Sequence, residues 1–328
     1  MFLLRLNAAS ENSLEGMVAE IKEELGINVD SKELKLFKTI KTEDDFVDLY
    51  YLKKDININD IVIQKEEVED VKWVTKDEIN EMIKKGIFLP PHIEFYNYLL
   101  EFKNKKNYYK AYEERYKQVY DKNMLWSSKL PTLEVIKFLK DYNAVKDDRI
   151  LDLGCGEGRD AIFLLEKGYN VLAVDYSLSV INMCNKLSNN KYKDHFKQFD
   201  IIENKMGEKF KYIYSIAVLH MFVLKEHRNK FLSFIREHLT DDGYCLLCIL
   251  GDGKQNYVTN INDAFKNTKR VVINNNEEID VVSTSCKIVN WDELEKEIIE
   301  NKLKIEKKWI ANDIPEFVNS MCVIIKLI

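Results

Sequence analysis

Proline and glycine are scarce in this chain, with 4 and 11 copies among 328 residues. That leaves no Pro-rich or Gly-rich linker, and no internal repeat or low-complexity tract interrupts the sequence. Basic charge is not in excess either. The net charge of −6 argues against non-specific nucleic-acid binding, and no nucleic-acid partner is expected. The 6 cysteines form no disulfide frame. Cys245 and Cys248 lie close together, but inside the apolar run "YCLLCIL", which reads as a buried strand. Three apart on a strand they point to opposite faces, so together they make no metal knuckle. No apolar run reaches the roughly 20 residues of a membrane helix. "MFLLRL" is too short for a signal-peptide core and lacks a cleavage site. The chain therefore reads as cytoplasmic, with free thiols and no membrane partner. What is present is apolar content: 46% over this length is ample for two globular domains.

The pattern divides near residue 100. The first unit, residues 1–100, opens with a helical stretch from Ser13 to Leu25, stopped by Gly26. Strand-like runs follow at "LKLFKTI", "FVDLYYL" and "DVKWV". In "TKDEINEMIKKG", Thr75 is suited to the N-cap, Glu78 completes a capping box and Gly86 suits the C-cap. The two prolines of "LPPHIEF" are expected to interrupt regular structure and close the unit.

The second unit, residues 101–328, begins with an aromatic helix, "NYYKAYEERYKQVY", in which Tyr112, Tyr116 and Tyr120 share one face. From Asp148 onward short apolar strands alternate with helices, beginning with "RILDLG", "RDAIFLLEKG" and "NVLAVD". This alternation predicts a parallel, doubly wound α/β sheet. "LKIEKKWI" and "SMCVIIKLI" run strand to strand with no helix between them, which predicts an antiparallel hairpin at the sheet edge.

The stretch "RILDLGCGEGRDAIF", Arg149 to Phe163, carries glycine at every second position of a strand-to-helix loop. A Walker phosphate loop needs Gly-Lys-Ser/Thr, and here Gly158 is followed by Arg159 and Asp160. A dinucleotide site needs G-x-G-x-x-G, whereas Gly154, Gly156 and Gly158 are evenly spaced. With Asp152 two residues before the first glycine, the stretch resembles motif I of the class I S-adenosylmethionine-dependent methyltransferases. The resemblance covers roughly Tyr108 to the C-terminus. It implies a Rossmann-like α/β fold, S-adenosyl-L-methionine as cofactor, and a loop of Gly154, Cys155, Gly156 and Gly158 lying against it. It also implies that Asp152 holds the methionine end, Asp175 takes both ribose hydroxyls, Tyr176 lies against the adenine and Asp200 faces the adenine amino group.

Methyl transfer needs mainly proximity and alignment at an activated sulfonium, and sometimes a base. The fourth strand ends in "IAVLHMF" rather than the Asn-Pro-Pro-Tyr type motif of amino-directed DNA methyltransferases. His220 stands at that position, as a base, a substrate contact or a packing residue beside the cofactor. The tyrosine face and Trp126 resemble the N-terminal lid of small-molecule members such as the thiopurine and tellurite-resistance methyltransferases. Tyr116 and Trp126 are thus candidate substrate contacts, and a small-molecule methyl acceptor is expected.

A second resemblance lies at the front. "ENSLEGMVAEIKEELGI" is similar to the Nudix box, with matches at Glu11, Glu20, Ile21, Glu23, Glu24, Gly26 and Ile27. On a helix Glu20, Glu23 and Glu24 share a face. In the family such carboxylates hold Mg²⁺ or Mn²⁺ for diphosphate hydrolysis. Here Arg5 replaces the box glycine and Ala19 the box arginine, and the strands that precede the box are expected to be missing. The front unit is therefore identified as a smaller α+β, truncated Nudix-like remnant. Three roles stay open for it: none, Mg²⁺-dependent diphosphate hydrolysis through Glu20, Glu23 and Glu24, or nucleotide sensing or dimerisation without catalysis.

Overall fold

The computed structural model describes residues 2–7, 13–41, 46–128, 130–272 and 277–328. The chain divides into two compact units, Met1–Lys106 and Asn107–Ile328.

In the first unit strand β1 (Phe2–Asn7) leads to helix α1 (Ser13–Leu25), then to β2 (Leu34–Lys41) and β3 (Phe46–Leu52). The three strands form an antiparallel sheet in the order β1-β3-β2. Met17, Ile21 and Leu25 recur every four residues on α1 and are buried with Leu34, Tyr50 and Leu52. Helix α1 ends as expected at Gly26, whose φ of +67° is the left-handed C-cap conformation. Helix α2 (Lys76–Lys84) starts at Thr75 with both bonds of the capping box formed.

Three expectations for this unit need correction. The front is not without a strand: β1, which carries Arg5 at the first box position, pairs with β3 along its whole length. "DVKWV" is not a strand: the Asp70 carboxylate takes the Val71 amide at 2.8 Å, and this local bond competes with a sheet ladder. "LPPHIEF" does not interrupt structure but starts helix α3 (Pro90–Asn107). Proline is tolerated in a first turn, where its missing N–H would have had no helical partner.

The second unit opens with α4 (Ala111–Tyr120) and α5 (Leu133–Asp141). It continues through β4 (Arg149–Leu153), α6 (Arg159–Glu166), β5 (Asn170–Asp175), α7 (Leu178–Leu187), β6 (Phe196–Gln198), β7 (Phe210–Ile216), α8 (Lys225–His238) and β8 (Leu239–Leu250). An excursion follows that the sequence pattern did not announce: β9 (Tyr257–Val258), β10 (Asn267–Val272), β11 (Glu277–Val282) and β12 (Lys287–Ile288). Here β10 pairs with β11 and β9 with β12, both antiparallel. Helix α9 (Trp291–Glu300), β13 (Leu303–Ala311) and β14 (Ser320–Leu327) complete the chain.

The main sheet runs β13-β14-β8-β7-β4-β5-β6. Strands β4 to β8 are parallel, and β14 and β13 form the expected antiparallel hairpin at one edge. This is the doubly wound, Rossmann-like sheet read from the alternation. Successive residues face opposite layers: Leu151 and Leu153 join the core that includes Phe231 and Leu294, while Ile150 joins Phe138 and Leu164. Cys245 and Cys248 likewise fall on opposite faces, and all six cysteines are free. After β6 the chain returns to the centre and continues on the other side through β7. The reversal leaves a crevice at the carboxyl ends of β4, β5 and β7, the usual place for a ligand in such sheets. Among the described residues no helix is long and apolar enough to cross a membrane.

Candidate cofactor and acceptor site

That crevice holds a cavity of about 600 Å³. Asp152, Gly154, Cys155, Gly156, Asp175, Tyr176, Asp200, His220, Tyr116 and Trp126 all line it. The structure thus brings together nearly every candidate of the second unit. Gly158 is the exception, because it faces inward.

All three loop glycines have positive φ, but they are needed for different reasons. A Cβ on Gly154 would come within 2.4 Å of Val218 Cγ2, and one on Gly158 within 2.9 Å of Cys184 Sγ. These two are small because protein packs against them. At Gly156 the nearest atom to such a Cβ is the Tyr116 hydroxyl, 3.6 Å away. Gly156 therefore keeps its backbone open to the cavity.

The three acids sit at strand ends with distinct surroundings. Asp152 accepts a hydrogen bond from the Tyr214 hydroxyl at 3.0 Å, and burial holds its carboxyl well above the ordinary range, helped by Asp160. Asp175 accepts from the Gly156 amide at 3.1 Å and the Ser177 amide at 2.9 Å. Those bonds only partly offset burial, and its carboxyl is pushed up to about 6. Asp175 is not the cap of α7; Ser177 is, with its hydroxyl accepting the Val180 amide at 3.1 Å. Asp200 accepts from the Tyr109 hydroxyl and the Ile202 amide and pairs with Lys110 at 3.2 Å.

The aromatic N-terminal segment forms one wall. Glu113 bonds the Ser177 and Ser179 hydroxyls at the start of α7, and its amide donates to the Tyr176 hydroxyl at 2.5 Å. Tyr116 and Tyr120 stack at 5.8 Å. From the glycine loop, Glu157 accepts the Trp126 and Ser127 amides, each at 2.8 Å. The loop and the segment after α4 are thereby tied together. Val119 and Met124 pack with Ile279 and Val281, which seats the β10–β11 hairpin against α4. Arg115, Arg270 and Cys286 line the cavity from this side.

His220 is only 5% exposed. Its Nδ1 accepts the Leu250 amide at 3.5 Å, and burial, then Arg228, push the imidazole down to about 4. It is neutral at neutral pH and weakly basic.

Glu157, Arg115 and Arg270 also line the cavity, beyond the residues the resemblance implies. Glu157 was visible as an acid among the loop glycines. Arg115 was visible as a cation in the tyrosine helix. Arg270 gave no signal, because its hairpin was not foreseen.

Residues 108–271 match the family described as Tellurite resistance protein TehB. The chain belongs to the TehB family. The chain is 30% identical over 103 residues to the probable S-adenosyl-L-methionine-dependent methyltransferase TehB of Haemophilus influenzae, covering 30% of this chain and 35% of that one. It is 35% identical over 94 residues to an uncharacterized Nudix hydrolase of Listeria monocytogenes, covering 29% of this chain and 54% of that one. The chain thus spans about half the length of the Listeria relative. Among solved structures it is similar to the CcbJ methyltransferase of Streptomyces caelestis, with a TM-score of 0.49 and 13% identity, covering 66% of this chain and 98% of that one.

In the first unit Glu20 and Glu24 are half-buried on α1 and Glu23 is exposed. Burial raises the Glu20 carboxyl, and the nearby charges of Glu24, Glu67 and Glu23 raise it further. Glu67 reaches this face from outside the box segment. Among the described residues no three His, Cys, Asp or Glu side chains are grouped to hold a metal ion. Glu11 lies outside the described residues.

Proposed function

We propose that the second unit is an S-adenosylmethionine-dependent methyltransferase acting on a small-molecule acceptor. The observation that carries the reading is the meeting of Gly156, Asp152, Asp175 and Asp200 in one cavity with an aromatic wall. The cofactor, when bound, supplies a methyl group on a positively charged sulfur. The chain's own residues would bind, align and exclude water. Gly156 presents bare backbone to the methionine and ribose portions. Asp175 accepts the ribose hydroxyls, with its orientation fixed by the Gly156 and Ser177 amides. Tyr176 and Asp200 flank the adenine end.

The acceptor would enter between Tyr116, Trp126 and the β10–β11 hairpin. The volume of the cavity suits a small molecule, and the chain's acidic balance does not favour a nucleic acid. His220 serves better as a neutral wall than as a base, because its pKa lies near 4.

The deciding experiment is calorimetry with S-adenosylhomocysteine and NADH, followed by a screen of metabolite extracts with labelled S-adenosylmethionine. Binding of NADH with S-adenosylhomocysteine ignored would falsify the reading.

For the first unit we infer binding without hydrolysis. Arg5 and Ala19 stand where the Nudix box has glycine and arginine, and this favours a nucleotide-sensing or dimerising role over a diphosphate hydrolase. Mixing the chain with Mg²⁺ and nucleoside diphosphate derivatives, and following both binding and turnover, separates these roles.

A further inference from the structure

The acceptor side of the cavity carries positive charge that no carboxylate among the described residues pairs with. Arg115, on α4, is 6% exposed. Its Nε and Nη2 donate to the Val282 carbonyl at 3.1 and 3.0 Å. Its guanidinium lies 5.4 Å from the Tyr112 ring centre and 5.1 Å from that of Trp126. Nη1 makes no hydrogen bond among the described residues. Arg270, on β10, is exposed and lines the same cavity.

The other arginines with described side chains behave differently. Arg149, Arg159, Arg228 and Arg236 each meet a glutamate. Among the described residues Arg115 and Arg270 meet none. Burial lowers the pKa of the Arg115 guanidinium, and the charge of Arg270 lowers it further, so the two cations stand close enough to repel.

The acids of the cavity are committed elsewhere. Glu157 holds the Trp126 and Ser127 amides, Glu316 pairs with Arg159, and Asp160 holds Thr132. Asp152, Asp175 and Asp200 stand at the strand ends.

A guanidinium removed from water without a counter-charge is costly, and aromatic faces offset only part of that cost. The second cation lining the same cavity, the exposed Arg270, adds repulsion to the cost of burying Arg115. An anion entering this cavity would relieve the repulsion and supply the missing counter-charge. A planar carboxylate matches the flat guanidinium fork.

We propose that Arg115 and Arg270 recognise an anionic group of carboxylate class on the methyl acceptor. Its apolar body lies against the aromatic wall of Tyr112 and Trp126. This rests on the methyltransferase reading and adds the acceptor's charge to it. A purely structural Arg115, clamping β11 through Val282, is the competing account, and it gives no preference between charged and neutral ligands.

The test uses benzoate and benzamide, which are alike in size and shape and differ in charge. Each is titrated by calorimetry into the full chain, alone and saturated with S-adenosylhomocysteine, at low salt. Benzoate is expected to bind at least tenfold more tightly than benzamide. Arg270→Gln and Arg115→Gln should each remove most of that preference and change S-adenosylhomocysteine affinity less than threefold. Arg270 is exposed, so its variant carries the test should Arg115→Gln fail to fold. Equal binding of the two probes, no binding of either, or a preference that survives Arg270→Gln overturns the proposal. Inorganic sulfate forms a third arm. If it binds more tightly than benzoate, the site takes a free oxyanion and the carboxylate assignment is overturned. Failure of S-adenosylhomocysteine to bind counts against the methyltransferase reading instead, and the titrations on the chain alone still decide this one.

Discussion

The Tyr109 hydroxyl donates to both carboxylate oxygens of Asp200, at 3.2 and 3.0 Å. The Ile202 amide shares one of those oxygens and Lys110 the other. A carboxylate has about four acceptor positions, and three donors meet it here, with the single Tyr109 proton shared between both oxygens. An adenine amino group reaching Asp200 therefore competes with that shared proton. Tyr109→Phe should tighten S-adenosylhomocysteine binding by roughly 2- to 10-fold, the range expected when one competing neutral hydrogen bond is removed. Calorimetry on the variant checks this. Weaker binding would mean that Tyr109 assists the cofactor.

Asp175 gives cofactor binding a pH dependence. Its carboxyl titrates near 6, and only the ionised form offers full acceptor strength to two hydroxyls. Affinity for S-adenosylhomocysteine should be highest above that pH and fall as pH drops through it, with proton release on binding in the acid range. Asp175→Ala should cost about 1.5–3 kcal/mol of binding and flatten the profile. The stability of the ligand-free chain should run the other way. A carboxyl raised in the folded state contributes most below its unfolded value of about 3.9, and that contribution is lost as pH rises through the folded value. Calorimetric titrations from pH 5 to 8 would expose the opposite trend if the assignment is wrong.

His220 should stay neutral throughout that range. Burial is the larger cause of its lowered pKa, with the charge of Arg228 second. Its imidazole carbon-bound proton resonances should not shift between pH 5 and 8 by NMR. A midpoint near 6.5, or its appearance only after ligand addition, would restore His220 as a candidate base.

The aromatic segment should respond to ligand unevenly. Tyr108 is fully buried, and its hydroxyl accepts the Val223 and Leu224 amides at 2.8 and 3.2 Å. Its own surroundings should be protected from hydrogen exchange with or without ligand. Amides from Asp121 to Ser128, linked to the glycine loop through Glu157, should gain protection when S-adenosylhomocysteine is added. Trp126→Ala should then impair turnover more than cofactor affinity. Equal protection in both states, with Trp126→Ala lowering only thermal stability, would reduce the segment to core packing.

For the first unit, added Mg²⁺ or Mn²⁺ should produce little hydrolysis of nucleoside diphosphate derivatives, and Ala19→Arg should not restore it. Robust turnover that Glu23→Gln abolishes would show a working hydrolase.

The sequence by itself determined the parallel sheet, its edge hairpin and the glycine loop. Each of these rests on local pattern: strand alternation, a missing helix between two apolar runs, and glycine where the backbone turns left-handed. Together with the family resemblance it also marked Asp152, Asp175 and Asp200, because the strand ends at which the resemblance places acids are legible from where apolar runs stop. Tertiary structure decided the rest. "DVKWV" has strand composition, yet a strand exists only where a neighbour accepts its ladder, and Asp70 takes the Val71 amide instead. The prolines of "LPPHIEF" read as breakers, but at Pro90 they stand in a first turn, where proline loses no bond. Arg115 looked like one more charge on an aromatic helix. Its burial beside Trp126, and the presence of Arg270 in the same cavity lining, depend on how α4 packs against a hairpin whose Val282 is 167 residues from Arg115 in sequence. Contacts of that range leave no periodicity in the chain, because each partner's pattern reflects only its own local geometry.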